Sequence, residues 1–226
     1  MAGVIAIDGP AGAGKSTLSR LLARELGYRH LDTGAMYRAI TWLAIERGID
    51  LNNEEALTEL ARETEIKFLP ADSNGVCPII VNGQDLTNEI RKPLVNKYVS
   101  LVARIEGVRE VMVKLQRKMA EEGEIIIDGR DIGSRVVPNA DLKLFITASL
   151  EERARRRFNE LKEKNLDLKF KEVREEIARR DKIDSEREVS PLVRVEDALL
   201  IDTTDLSIEE VVKKIKTIID KGESNG

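Results

Sequence analysis

An α/β fold, built on a five-stranded parallel core sheet flanked by helices, is what this 226-residue sequence predicts. Three observations carry that reading. Short apolar runs of strand length alternate with segments whose apolar residues recur at helical spacing. A glycine-rich loop joins the first run to the first helix. The composition, 42% hydrophobic against 35% charged, is that of a globular chain, one long enough to bury about 70% of the surface exposed on unfolding, without disulfides or a structural metal.

Taken in order, residues 3–8 form a short apolar strand that breaks at Gly9-Pro10. Leu18, Leu21, Leu22 and Leu26 then mark a helix that Gly27 stops. A second strand at about 28–31 runs into Asp32-Thr33-Gly34, and a helix follows through Met36, Ile40, Leu43 and Ala44 to Gly48. A third helix fills 54–64, with Asn52 and Asn53 as candidate caps. Residues 66–87 change character: Ile66 to Leu69 and Ile79 to Val81 are extended, and Asn82-Gly83 is a type I′ hairpin signal, so a small antiparallel insertion is expected. Helices resume at about 93–104 and 107–121, the latter with Val108, Val111, Met112, Leu115 and Met119 on one face. Glu124 to Asp128 and Leu142 to Thr147 are two more buried strands, separated by the loop Gly129-Arg130-Asp131-Ile132-Gly133. Ser149 to Glu152 and Ser207 to Glu210 have the capping-box pattern that opens a helix. Residues 151–188 hold thirteen basic and twelve acidic side chains with little apolar face, so they are expected to form a solvated, mobile excursion. Ala198 to Asp202 is the fifth apolar strand, and Glu223 to Gly226 is expected to be a disordered tail.

Charge and composition exclude several activities. A net charge of −4 and a pI near 5.4 argue against a general nucleic-acid binder. His30 and Cys77 are the single histidine and single cysteine, so no Cys/His zinc set and no intrachain disulfide can be assembled. A Cys-His dyad would need those two residues to meet. The N-terminal run is too short for a signal or spanning helix, so a soluble, cytoplasmic protein without membrane partners is expected. No leftover apolar stripe points to an oligomer, and a monomer is the expectation.

Gly9-Pro10-Ala11-Gly12-Ala13-Gly14-Lys15-Ser16 fits G-x-x-x-x-G-K-[ST] between a strand and a helix, with Thr17 following. Glycines let successive N–H groups turn inward on phosphate oxygens, the helix N-terminus adds partial positive charge, and Lys15 reaches the β and γ groups of ATP. Ser16 offers its hydroxyl to Mg²⁺ held with the nucleotide. A GTP switch would carry N-K-x-D, and Asn96-Lys97-Tyr98-Val99 lacks the aspartate. Asp72-Ser73-Asn74-Gly75 matches D-x-x-G, yet it falls in the antiparallel insertion. The remaining options are an ATP-binding regulatory module, an ATPase motor, and phosphoryl transfer to a small acceptor. An acceptor that is itself a phosphate needs cations more than it needs a base, and this chain offers one histidine, read as structural, and many arginines. Arg38, Arg130, Arg180 and Arg187, expected in loops or helix ends, present planar forks that match phosphate oxygens.

Five blocks in order carry a resemblance: Gly9 to Thr17, Leu31 to Arg38, Asp128 to Gly133, Arg179-Arg180-Asp181 with Asp184-Ser185 and Arg187, and Ile201 to Thr204. Together, over roughly residues 3–220, they resemble the bacterial cytidylate kinase family of P-loop nucleoside monophosphate kinases. The resemblance implies that family's fold, with a core (1–35, 105–150 and 189–226), an acceptor-binding domain (36–104, including the insertion at 66–87) and a helical lid (151–188). It also implies transfer of the γ-phosphoryl of MgATP to CMP, and dCMP, in pyrimidine nucleotide metabolism, with UMP or AMP as the rival acceptors. By the same resemblance Arg38, Arg130 and Arg187 hold the acceptor α-phosphate beside Thr33 and Tyr37. Asp131 and Arg109 read cytosine with Ser100 nearby, and Arg180 and Asp184 take the sugar hydroxyls. Lys15, Arg130, Arg180 and Arg187 form the catalytic set. Asp128 orients Arg130, holds a magnesium water or caps its loop. Some relatives carry a further lid arginine where Ile183 stands here. Trp42, Phe68 and Cys77 are expected to pack.

Overall fold

The computed structural model of the chain describes residues 3–72, 75–163 and 169–223, the last three of these by backbone alone. Ser73 and Asn74 of the D-x-x-G match, and the tail residues 224–226, lie outside the described residues. In chain order the elements are β1 (Val4–Asp8), α1 (Lys15–Leu26), β2 (Arg29–Asp32), α2 (Thr33–Glu46) and α3 (Glu54–Glu63). There follow β3 (Ile66–Phe68), β4 (Ile79–Val81), β5 (Gln84–Asp85), α4 (Pro93–Ala103) and α5 (Glu106–Ala120). The second half holds β6 (Ile125–Gly129), a π-turn (Ile132–Val136), β7 (Leu142–Thr147), α6 (Leu150–Glu163), α7 (Phe170–Glu186), β8 (Leu199–Asp202) and α8 (Ile208–Glu223).

Five parallel strands form the core sheet in the order β2-β6-β1-β7-β8. Alternation along a strand sends successive side chains to opposite faces. Ile125 and Ile127 accordingly join the cluster of Met36, Ile40, Val108 and Met112, whereas Ile126 joins Leu18, Leu22, Val211 and Ile215 on the other face. A sheet covered on both faces has to be apolar on both, which is why β1 and β6 read as unbroken hydrophobic runs. β8 is the exception. It is an edge strand, and Leu199 and Leu200 stand exposed while Ile201 is buried.

Helix ends follow local chemistry. Gly27 stops α1 in the left-handed region, its N–H returning to the Ala23 carbonyl. Asp32 caps α2 by accepting from the Ala35 N–H at 3.0 Å, and Asn53 caps α3 from Ala56. Ser207 and Glu210 make a complete capping box. The Ser149 box is only half made, because the Glu152 carboxylate turns to Arg155 and Arg156 instead of the Ser149 N–H. The insertion is a three-stranded antiparallel sheet, and Asn82 and Gly83 both have positive φ, as a type I′ turn demands.

The excursion at 151–188 differs from expectation. α6 and α7 enclose a small core of their own, Ala154, Leu161, Val173 and Ile177, closed by an edge-to-face pair of Phe158 and Phe170. Its apolar residues are few per helix, so the charge around them hid the stripe. Glu223, expected in the tail, closes α8. No described helix is long and apolar enough to cross a membrane.

The register sets the carboxyl ends of the central strands level, with Asp8 opposite Gly129 and Asp32 opposite Asp128. Ligands of open parallel sheets sit there. Gly9, the next residue, has φ of 149°, and a Cβ on it would stand 1.9 Å from the Ile146 carbonyl oxygen. Gly9→Ala should therefore cost about 2 kcal/mol or more of unfolding free energy. A urea denaturation curve with an unchanged midpoint would contradict that close approach.

Candidate active site

The loop from Gly9 to Gly14 curls between β1 and α1, with Gly12 and Gly14 at positive φ where a side chain would be strained. Lys15 bends back across it and donates to the Pro10 carbonyl at 2.8 Å. Burial, then the nearby Arg130 charge, lower the Lys15 ammonium to about 7. This cation lacks a strong counter-ion and is poised to gain one from phosphate.

Beside it runs a hydrogen-bonded chain through Asp128 at the end of β6. The Ser16 hydroxyl donates to Asp128 Oδ2 at 2.8 Å, and His30 Nε2 faces Oδ1 at 2.6 Å. The Thr33 hydroxyl donates to the Asp128 carbonyl. Burial opposes charge on His30, but hydrogen bonds to Asp128 and to the Cys77 sulfur lift the imidazole to about 9. The two residues whose meeting a Cys-His dyad required do meet. They serve the aspartate, with Cys77 half-buried behind the ring. Asp128 is held below the usual carboxylate range: burial would raise it, and His30, Lys15 and Ser16 outweigh that.

Arginines converge opposite the phosphate loop. Arg38 and Arg180 lie within α2 and α7 rather than in loops, Arg130 follows β6, and Arg187 ends α7. Arg38 donates to Asn96 and stands 3.9 Å from Asp32. Arg130 donates to Asp184 Oδ2 at 2.7 Å. Arg180 has a buried Nε with no partner among the described residues. Burial, then repulsion from Arg38 and Arg130, lower it to about 10. A cation in such surroundings is short of anion.

A second pocket wall is separate from that cluster. Arg109 pairs with Asp131 Oδ2, donates to the Ala103 carbonyl and covers the Tyr37 ring at 5.3 Å. Arg187 stands here, 3.8 Å from Asp131 Oδ1, and donates to the Ser190 carbonyl. It faces Asp131 and Arg109, and through Asp184 it also acts on the side that holds Arg130 and Arg180. Arg109 Nε and Arg187 Nη2 are buried without a hydrogen-bond partner among the described residues. Such orphans are costly unless a polar ligand meets them. Ser100 is buried on α4.

Three functional residues escaped the sequence reading. Asp181 on α7 accepts from the Ala11 N–H of the phosphate loop at 3.3 Å. Arg153 ties that contact down, donating to both Asp181 and the Ala11 carbonyl. Asp8 grips the loop after β6 through two N–H groups. Asp181 and Asp8 stood inside or beside quoted motifs, but no spacing rule says what a lone carboxylate will touch. A groove of about 830 Å³ between α3 and α5, lined by Arg62, Val111, Leu115 and Lys118, meets this region at Arg109 and Ser190.

The family model described as cytidylate kinase matches residues 5–221. A protein named cytidylate kinase from Bacillus licheniformis is 52% identical over 217 residues, covering 96% of each chain, and one from Bacillus velezensis is equally similar over the same share. Among solved structures, an uncharacterised protein from Eubacterium ventriosum is 13% identical, with a TM-score of 0.54 covering 98% of this chain and 99% of that one.

Two measurements test the electrostatics. Removing a self-repelling charge should stabilise the ligand-free protein, so Arg180→Met should gain about 1 kcal/mol in chemical denaturation while turnover collapses; a loss of stability would contradict the cation surplus. His30 is raised in the folded state from 6.5 to about 9. Its stabilisation is therefore complete below pH 6.5 and fades as pH rises through 9. Unfolding free energy should decline from pH 7 to 9.5, and His30→Gln should flatten that decline. Parallel profiles for the two proteins would rule it out.

Proposed function

The chain belongs to the cytidylate kinase family, and on that premise we propose how its residues divide the transfer of a phosphoryl group from ATP to CMP, or dCMP, yielding ADP and CDP or dCDP. ATP lays its phosphates along the amides of Gly9 to Thr17, with Lys15 turning from the Pro10 carbonyl to the β and γ groups. CMP enters opposite. Its α-phosphate meets Arg38, Arg130 and Arg180, and supplies the anion that their mutual repulsion calls for. The acceptor oxygen is already ionised, so no side chain has to remove a proton from it.

Cytosine reading falls to the second wall. Cytosine offers an N4 amino donor beside the N3 acceptor, and Asp131 beside Arg109 is the complementary acceptor and donor. Arg187 holds Asp131 from its other side, and Ser100 lies on the neighbouring helix. Uracil inverts N3 and N4, leaving a carboxylate against a carbonyl at a cost of about 1 to 3 kcal/mol. Asp184, gripped by Arg130, takes the sugar hydroxyls, with Arg180 reaching both them and the phosphate.

Mg²⁺ fits this donor set. The Ser16 hydroxyl and the low-pKa Asp128 carboxylate are hard oxygen groups 2.8 Å apart. Among the described residues no group of three or more His, Cys, Asp or Glu side chains could hold a metal alone, so ATP oxygens and water would complete the shell. When bound, the ion neutralises β and γ oxygens. Residues 36–104 act as the acceptor domain and 151–188 as a lid. α7 supports that division by touching both sides, through Asp181 to Ala11 and through Arg179 to the Lys97 carbonyl. A closed lid excludes water, which would otherwise compete as acceptor.

The observation that carries this reading is the pairing of Asp131 with Arg109 at a wall separate from the phosphate-binding cations. Assay of a monophosphate panel with MgATP should give a much higher kcat/KM for CMP than for UMP or AMP. Asp131→Ala should lower the CMP-over-UMP ratio by about tenfold or more. Equal rates on CMP and AMP would refute the cytosine assignment, and an unchanged ratio in the variant would remove Asp131 from it.

A further inference from the structure

Asp8 takes no place in the chemistry above, yet it is the most completely engaged carboxylate outside it. It ends β1, immediately before the phosphate loop, and is 6% exposed. Oδ1 accepts from the Ile132 N–H and Oδ2 from the Gly133 N–H, both at 2.8 Å. Those are the two residues after Asp131. The Asp131 carbonyl in turn accepts from the Arg135 and Val136 N–H groups, so the π-turn is tied at both ends.

The neighbours sharpen the point. Gly133 packs against this carboxylate so closely that a Cβ would lie 3.5 Å from Oδ2 and 3.2 Å from the Lys143 side chain. Burial raises Asp8 to about 6, the two N–H bonds lower it, Asp131 raises it further and Lys15 lowers it. A buried carboxylate beside another carboxylate is costly to keep, and an apolar residue would fill β1 more cheaply. What the carboxylate supplies, and an apolar residue could not, is a two-point grip on the backbone carrying Asp131.

We propose that Asp8 is a positioning residue for base selection: it clamps the Asp131 turn to the root of the phosphate loop, fixing the base reader relative to the bound ATP. This rests on the reading of Asp131 as the cytosine acceptor. The clamp acts through geometry. Asp131 must present a carboxylate oxygen to the N4 amino group while Arg109 presents an N–H to N3 of the same flat base, and a turn free to shift by a few tenths of an ångström spoils that alignment. Asp8→Asn keeps the shape but sets an NH₂ group against one of the two N–H donors, opening one half of the clamp.

The test is a double-mutant cycle on the ratio of kcat/KM for CMP to that for UMP, run well below the melting temperature of each variant. Asp8→Asn should reduce that ratio about tenfold, and should reduce it no further when Asp131 is already alanine. A purely structural aspartate would lower stability and leave the ratio alone. Asp8→Ser, whose hydroxyl lies one bond nearer the backbone and adds no NH₂ group, is measured in parallel and should also lower the ratio, by opening the clamp without a clashing donor. If Asp131→Ala loses the ratio while both Asp8 variants keep it, the clamp is overturned and the reader stands. If the Asp8 effect persists in the Asp131→Ala background, Asp8 acts by another route and the clamp is again overturned. If Asp131→Ala itself keeps the ratio, the reader assignment fails and takes the clamp with it.

Discussion

Guanidinium groups drawn from α2, the loop after β6 and α7 are held in one cleft against their own repulsion, and most other features of the site follow from that constraint. Arg130 depresses both Arg38 and Arg180, Arg38 depresses Arg180 in turn, and Arg180 keeps a buried Nε without a partner among the described residues. A cluster like this is an unfavourable arrangement in an empty protein and a favourable one around a doubly charged phosphate. α7 brings Arg180 in, and the same helix reaches the phosphate loop through Asp181.

Aspartates are the counterweight. Asp32, Asp128 and Asp8 stand at the carboxyl ends of neighbouring strands, Asp32 level with Asp128 and Asp8 one residue further along, opposite Gly129. Each does something different because each meets different partners. Asp32 caps a helix and steadies Arg38. Asp128 gathers Ser16, His30 and, through its carbonyl, Thr33. Asp8 grips backbone alone. The strand ends thus supply rigid anchors, while the cations ride on helices and loops around them.

Local patterns proved legible where one short stretch contains its own cause. The hairpin at Asn82-Gly83, the stop at Gly27, the caps at Asp32 and Asn53, and the complete box at Ser207 are each determined within four residues. Where a distant group competes, the pattern misled. The Ser149 N–H goes to the Thr204 hydroxyl, 55 residues away, and the apolar stripe of α6 and α7 was invisible until the two helices were seen to share it. Arg187 stands where its sequence neighbours could not place it, at the end of α7 and 3.8 Å from Asp131 Oδ1.

The amino-acid sequence by itself determined that this chain makes a parallel α/β sheet with a phosphate-binding loop, an antiparallel insertion and a cationic acceptor site, because periodicity, glycine placement and residue type are properties of neighbours along the chain. Tertiary structure alone decided which carboxylate faces which cation. It set the strand order, joined Cys77 to His30 and His30 to Asp128, and stood Arg109 and Arg187 against Asp131. Pairings of that kind join segments well apart in sequence, 22 residues for Arg109 and Asp131 and 98 for His30 and Asp128. Those contacts exist only once the sheet has closed and brought its strand ends level.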